Sequence, residues 1–319
     1  MAEEISQPGN ITLTHKNYTY DKDATAITIS EANKVIDGNG AVIDMAGSTI
    51  RAFHVSGPGV TIKNLTIKNA NYNGNGGAIY FDSTGTVTNC NFVNNSARYG
   101  GAIRFSSTGT VTNCNFTDNT VSSQGGAVHV GSGTVSNCNF ADNKATIRDG
   151  GAVFFIHQGT VTKCNFTNNS ARSAGAVFFM DGGDVANCNF TCNTASINGG
   201  AVYFTDSGTV TNCNFTGNNA TNGSAIYFYN WDSSNTLTVS DSTFLNNRAN
   251  AGALDIVKTE NNITITFTGQ NNLLNAIYYR EDAEVTFNNV KYWGANGITT
   301  VSSTMSGSIR QPVKTSLLV

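Results

Sequence analysis

Apolar side chains in this chain alternate over very short distances and then stop. In "AIYF" (78–81), Ile79 and Phe81 fall on one face and Ala78 and Tyr80 on the other, which is the period of a half-buried strand. The inward pair returns at Ile103/Phe105, Val128/Val130, Val153/Phe155, Val177/Phe179, Val202/Phe204, Ile226/Phe228 and Leu254/Ile256. A polar turn such as "STGT" follows, and "TVT" then forms a second short strand with Val87 inward. Asn89 breaks the alternation, because the next inward residues are Cys90 and Phe92. Asparagine tolerates the left-handed backbone that such a corner requires. No segment carries the roughly 10–12-residue amphipathic stripe of a helix.

Three markers recur in phase with these strands. Gly-Gly-Ala begins at Gly76, Gly100, Gly125, Gly150 and Gly199, with degenerate copies at Ala174-Gly175-Ala176, Gly223-Ser224-Ala225 and Ala251-Gly252-Ala253. Cysteine stands at Cys90, Cys114, Cys138, Cys164, Cys188 and Cys213, and Ser242 takes the next equivalent place. Phe-x-x-Asn runs from Phe92/Asn95 to Phe244/Asn247, its phenylalanines stepping by 24, 24, 26, 24, 25 and 29 residues. Weaker copies extend the array: "RAFHV" (51–55) and "GVTIKNLTI" (59–67) before it, "NAIYY" (275–279) and "EVTFNNV" (284–290) after it.

Units this short cannot bury a core alone. Stacked, each strand pairs in parallel with its copy about 4.8 Å away, and the enclosed side chains form one continuous column. The expected fold is therefore all-β: a single-stranded parallel β-solenoid of about ten to eleven coils of 24–25 residues. One domain is expected over 1–319, with an N-terminal cap or first strands in 1–33, coils in 34–294 and a C-terminal cap or tail in 295–319.

Composition narrows the function. Charged residues are 12% of the chain, about half the usual share of roughly 25%, while Asn supplies 44 residues and Pro only 3. A net charge of −3 without a basic run argues against nucleic acid as a partner, since phosphate binding leaves a Lys/Arg footprint. No apolar run reaches the roughly 20 residues of a membrane helix, so no membrane insertion is expected.

"GGAIYF" followed by "FVNN", repeated about every 24 residues, resembles the GGA(I/L/V) and FxxN repeats of polymorphic outer-membrane proteins. It is more similar still to the large adhesin-like surface proteins of archaea that carry these repeats. "KVIDGNGAVIDMAG" (34–47) and "VTFNNVKYWGANGI" (285–298) are similar to segments flanking those archaeal repeats, and the resemblance covers roughly 34–297. It implies a right-handed parallel β-helix and an adhesive role at the cell surface. The partner implied is a glycan or protein on a host or neighbouring cell. It transfers no catalytic residues, because both motifs are structural. The chain is accordingly expected to be extracellular, a monomer, and a segment of a larger secreted protein, although "MAEEISQPGN" lacks the basic and apolar regions of a signal peptide.

Several vertical files could carry chemistry. The six cysteines would stack without converging, which suits neither tetrahedral zinc nor a disulfide, so they read as small buried side chains. No metal or other cofactor is expected. Cys192 is the odd thiol. The asparagine files at Asn89, Asn113, Asn137, Asn187 and Asn212, and at the FxxN positions, read as turn ladders. Sequons at Asn94, Asn115, Asn165 and Asn214 fall inside the repeat as its by-products, with surface glycosylation left open.

The outward position of the first strand reads Tyr80, Arg104, His129, Phe154, Phe178, Tyr203, Tyr227, Asp255. Its aromatic members, Tyr80, Phe154, Phe178, Tyr203 and Tyr227, are the candidate receptor-binding strip. The competing reading is stacking, or cover by a neighbouring loop. His157, Asp181 and Asp206 on consecutive coils, with Asp184 and Asp232 nearby, are the candidates for calcium binding or acid–base work on a polysaccharide. Asp118 and Asp142 form a shorter pair. These acids are also ordinary turn residues. The T-x-T array (Thr86/Thr88, Thr110/Thr112, Thr160/Thr162, Thr209/Thr211) is a third surface of the kind that can bind ice, interrupted at Asp184 and Ala186. The expected function is a non-catalytic adhesin module. The alternative is a pectate-lyase-like or polygalacturonase-like enzyme.

Overall fold

A computed structural model describes residues 1–20, 25–229 and 235–249, together with the strand backbones that lie within 257–305. The repeats stack in register. Nine consecutive parallel pairings link ten strands, from Ile27–Ile29 through Ile79–Phe81 to Val257–Glu260. The TVT and CNF strands form two further columns in the same way, with Val87 paired to Val111 and Phe92 to Phe116. Matching residues are therefore vertical neighbours. Phe92, Phe116, Phe140, Phe166, Phe190, Phe215 and Phe244 form one file of stacked rings, adjacent centroids 4.7–5.1 Å apart and planes within 8°. With the inward Val, Ile and Phe pairs they make a single buried core.

Each coil turns at three left-handed positions. The first is the Asn89 file, with φ of 53° at Asn89, 54° at Asn113 and 52° at Asn137. The second holds Asn94, Asp118, Asp142, Asn168 and Cys192, each with φ of 53–58°. Asp118 and Asp142 are thus corner residues, which accounts for their presence without chemistry. The third is the first residue of Gly-Gly-Ala, from Gly76 (65°) to Gly223 (59°). The second glycine answers a different constraint: a Cβ on Gly77 would stand 2.1 Å from the Gly101 carbonyl oxygen of the next coil.

Two ladders satisfy the polar groups that these corners bury. Asn95, Asn119, Asn143, Asn169, Asn193, Asn218 and Asn247 are all fully buried. Asn143 Nδ2 donates to Phe116 O and to Asn169 Oδ1 (both 3.0 Å), while Asn143 Oδ1 accepts from Asn119 N and Asn119 Nδ2 (both 3.0 Å). The cysteines form the second ladder. Cys114 Sγ donates to Thr112 O (3.1 Å) and accepts the backbone N–H of Cys90 (3.4 Å). Ser242 repeats both bonds, accepting from Cys213 N (3.1 Å) and donating to Ser240 O (2.8 Å). The thiols are therefore hydrogen-bonding groups as well as filler. Burial holds the Cys90 thiol well above its ordinary range.

The segment before most of the Gly-Gly pairs is a further strand, which the sequence pattern did not reveal. Ser96–Tyr99, Thr120–Gln124, Lys144–Ala145, Ser170–Ser173 and Thr194–Asn198 form a five-stranded parallel sheet of their own. Their side chains alternate, and Ala97, Val121 and Ala145 form a small buried cluster. These apolar residues are mostly alanine, too small to announce a strand in the sequence.

At the N-terminus a short helix, Ala2–Ser6, buries Ile5 against the end of the core. Glu4 accepts from the Thr14 hydroxyl, from Thr14 N (3.0 Å) and from Tyr18 Oη (2.7 Å). At the other end Glu284–Gly294 pairs antiparallel with Gly297–Met305. Register also shifts near this end: Ile226 pairs with Val257, where the sequence pattern placed Leu254. The longest phenylalanine step, 29 residues, precedes this point, so fixed spacing no longer sets the register. Leu254, Asp255, Ile256, "NAIYY" and 306–319 lie outside the described residues.

Three outcomes follow from these contacts. Asn143→Ala strands the Phe116 carbonyl and the Asn119 amide in the core, and should cost about 3 kcal/mol in denaturant unfolding. Asn139→Ala in the exposed ladder (Asn139 Nδ2 to Asn115 Oδ1, 2.8 Å) should cost under about 1 kcal/mol. Equal losses would contradict the buried ladder. Cys138→Ser should stay within about 1 kcal/mol of the native chain, as Ser242 does the same work, whereas Cys138→Ala should lose about 1–2 kcal/mol more. Hydrogen bonds from Thr14 and Tyr18 lower the Glu4 carboxyl from 4.5 to about 2. Its contacts are therefore intact above pH 4.5 and lost as pH falls toward 2. The Thr14 amide resonance should titrate with a midpoint of about 2 and stop titrating in Glu4→Gln.

Candidate functional site

The outward file of the first strand is present but is not an open strip. His129, Phe154 and Tyr227 are each 2% exposed and Phe178 is 8% exposed. Tyr80, Arg104 and Tyr203 are half-buried. The cause is the segment before each Gly-Gly, which folds over this side of the strand. Ala174 packs with Phe154 and Phe178 in one cluster joined by Ile156 and Tyr203, and Tyr99 stands edge-on to His129 with centroids 5.6 Å apart. Within the file, rings stack vertically: His129 on Phe154 (5.0 Å) and Phe154 on Phe178 (4.9 Å), with Tyr203 tilted 53° against Phe178. Of the five aromatic candidates, Tyr80 and Tyr203 retain partial exposure.

The candidate catalytic file is brought together only in part. His157 Nδ1 lies 2.7 Å from Asp181 Oδ2, both side chains more than half exposed. Asp206 does not join them; its Oδ1 accepts from the backbone N–H of Ser207 at 2.5 Å. Asp184 accepts from the Thr209 hydroxyl at 2.5 Å on the neighbouring T-x-T face. Asp232 lies outside the described residues. Among the described residues no group of three or more His, Cys, Asp or Glu side chains converges to hold a metal ion.

The T-x-T file is in register, with Thr86 paired to Thr110, Thr134 to Thr160, and Thr160 to Asp184. Some of its hydroxyls bond to one another along the axis, as Ser136 Oγ does to Thr112 Oγ1 (3.1 Å). The sequon amides are similarly occupied. Asn115 Nδ2 donates to Asn91 Oδ1 (2.8 Å), Asn165 to Asn139 (2.8 Å), Asn214 to Asn189 (2.9 Å) and Asn94 to Asn69 (3.0 Å).

A further cluster, at the N-terminal end of the outward file, escaped sequence reasoning. His54 pairs in register with Tyr80 and stacks on it, centroids 5.5 Å apart and planes at 14°. His54 Nε2 lies 2.5 Å from Asp82 Oδ2, and the Arg51 guanidinium sits 4.4 Å from the Tyr72 ring centre and 4.7 Å from that of Tyr80. These residues, with Ala26 and Ile50, line an open hollow of about 400 Å³. Burial pushes the Asp82 carboxyl up, but hydrogen bonds from Tyr80 and His54 outweigh it and leave the group below its ordinary value. The only signal in the sequence was "RAFHV" as a match to "AIYF", which placed His54 above Tyr80; nothing there joined Arg51 or Tyr72 to them.

The family model for right-handed β-helix regions matches residues 5–195 and 78–244. No curated protein matches the chain. The stacked parallel columns and the extent of that match agree: this chain belongs to the right-handed β-helix family.

Proposed function

We propose that the chain is an adhesin-like β-helix module of an extracellular, cell-surface protein, which presents one face to a glycan or protein receptor and catalyses no reaction. The observation that carries this reading is how the repeat uses its polar side chains. The asparagine files, the cysteine file and part of the threonine file are committed to bonds along the axis, coil to coil. A surface made this way is rigid and extended, and its variation lies in the few residues that break the repeat. The GGA and FxxN motifs that resemble those of adhesin-like surface proteins serve the corners and the core.

The second reading, a polysaccharide-degrading enzyme, draws on the His157–Asp181 contact of 2.7 Å. A solvated histidine–carboxylate pair on a β-helix face could take a proton from a sugar ring. Asp206, the third member of that file, is engaged with its own backbone.

The two readings separate in one pair of experiments. Immobilised chain should retain cells or glycans from a printed array, while a polysaccharide screen with added calcium yields no new reducing ends or unsaturated products. Turnover abolished by Asp181→Ala would establish the enzyme instead. Retention of neither cells nor glycans would remove the adhesin reading.

A further inference from the structure

We propose that the arginine–tyrosine patch at the N-terminal end of the outward file binds an acidic saccharide, one that carries carboxylate or sulfate groups among its hydroxyls. This deepens the receptor-binding reading above and rests on it.

The three arginines of this patch make no contact ion pair, although Asp82 lies close enough to Arg51 to feel its charge. Lys16 bonds to the Asn39 carbonyl, and three other lysines at this end of the helix have carboxylate partners: Lys34 with Glu31 (3.1 Å), Lys63 with Asp37 (3.2 Å) and Lys68 with Asp44 (3.1 Å). The arginines do not. Arg51 lies over Tyr72 and Tyr80, while Arg98 and Arg104 lie 5.2 and 5.1 Å from the Tyr99 ring centre. Among the described residues, no ion pair within 4.0 Å involves any of the three. Arg104 pairs in register with Tyr80, so the patch is continuous across neighbouring coils. Arg104 is half-buried and its Nε is buried with no hydrogen-bond partner. Its Nη1 meets His129 at 3.1 Å, and burial together with the arginine charge holds that histidine well below its ordinary range. His129 is therefore neutral at pH 7, and beside it the positive charge resides in the Arg104 guanidinium.

Stacking on a tyrosine ring occupies the face of a guanidinium and leaves its edge donors for an oxyanion. Carboxylate and sulfate match that edge with charge-assisted bonds. The adjoining hollow of about 400 Å³ falls at the lower end of small-ligand pockets, about 300–1,000 Å³. Asp82 narrows the ligand class. An exposed carboxylate beside the arginines repels a dense polyanion such as a phosphate backbone, yet accepts hydrogen bonds from hydroxyls. A sugar that alternates acid groups with hydroxyls satisfies both sets of groups.

Calorimetry on the intact chain tests this with oligogalacturonate as the carboxylated probe and a heparin oligosaccharide as the sulfated one. A cello-oligosaccharide is the neutral control and polyuridylate the phosphate control. Binding of either acidic sugar, or of both, is expected, weakening as salt rises, with neither control bound. Arg51→Gln, and independently Arg98→Gln on the exposed rim, should each weaken binding about tenfold without shifting the melting temperature. Lys163→Gln, on an exposed corner of another coil, should leave it unchanged. If neither acidic sugar binds, or if binding survives both arginine changes, the proposal is overturned; so is it if polyuridylate binds more tightly. Retention of cells or of neutral glycans in the absence of acidic-sugar binding would overturn this site while leaving the adhesin reading standing.

Discussion

The whole molecule depends on one constraint: each corner of a coil puts backbone amides and carbonyls where water cannot reach them, and only the neighbouring coil can satisfy them. A buried amide left unpaired costs about 1–3 kcal/mol, and each coil has several. The buried asparagine answers with two acceptor bonds to one neighbour and donor bonds to both, as Asn143 does toward Asn119, Phe116 and Asn169. The cysteine does the same more weakly at the corner before it. Because one partner of each such residue is the equivalent residue of a neighbouring coil, a substitution in one coil leaves groups stranded in the next. Near-verbatim repetition is the chemical consequence. The phrase "TVTNCNF" recurs because Asn89 makes the corner, Cys90 caps it and Phe92 stacks beneath it.

This is also why the fold was legible in the sequence. Residues whose role is to meet their own copies leave a periodic trace, and the phase of Gly-Gly-Ala, Cys and Phe-x-x-Asn located the strands of the core, the Asn89 corner and the inward files, though not the second sheet. What periodicity could not convey was the side-chain environment outside the core. Alternation places Phe154 and Phe178 on the outward side of their strand, and that placement is correct. Outward, however, means solvent only if nothing folds back. The segments that fold back are built on Ala97, Val121, Ala145 and Ala174, which carry little hydrophobic signal. The cysteine file was similarly read for its size, while its hydrogen bonds became visible only once the sulfur of one coil stood 3.4 Å from the amide of another.

Candidate site residues were less legible for the opposite reason. His157 and Asp181 were found because they occupy equivalent places on adjacent coils, yet Asp206, equally well placed by number, turns to its own Ser207 amide. Arg51, Tyr72 and Tyr80 belong to different parts of different coils, so no single register joins them. Charge composition gave no sign of the cluster either. The absence of a basic run is real, but three arginines spread over 54 residues meet two tyrosine-centred clusters when 51, 72, 80, 98, 99 and 104 are stacked.

The hollow lies beside the first strand of the second sheet. That sheet starts at Ser96–Tyr99, and the coil before it still bonds to it, Tyr72 N donating to Ser96 O (3.0 Å), Gly76 N to Tyr99 O (2.8 Å) and Arg98 N to Gly74 O (2.9 Å). From Ser96 onward the returning segment covers the outward file, and His129 and Phe154 are closed off. One coil earlier Tyr72, with the Arg51 guanidinium 4.4 Å from its ring centre, lines the hollow, and the file stays partly open at His54 and Tyr80. A perfectly regular solenoid would present the same face at every level and could offer a ligand no preferred place. Here the repeat builds the rod, and the residues that break it, Arg51, His54, Tyr72 and Asp82, make this level unlike those above it.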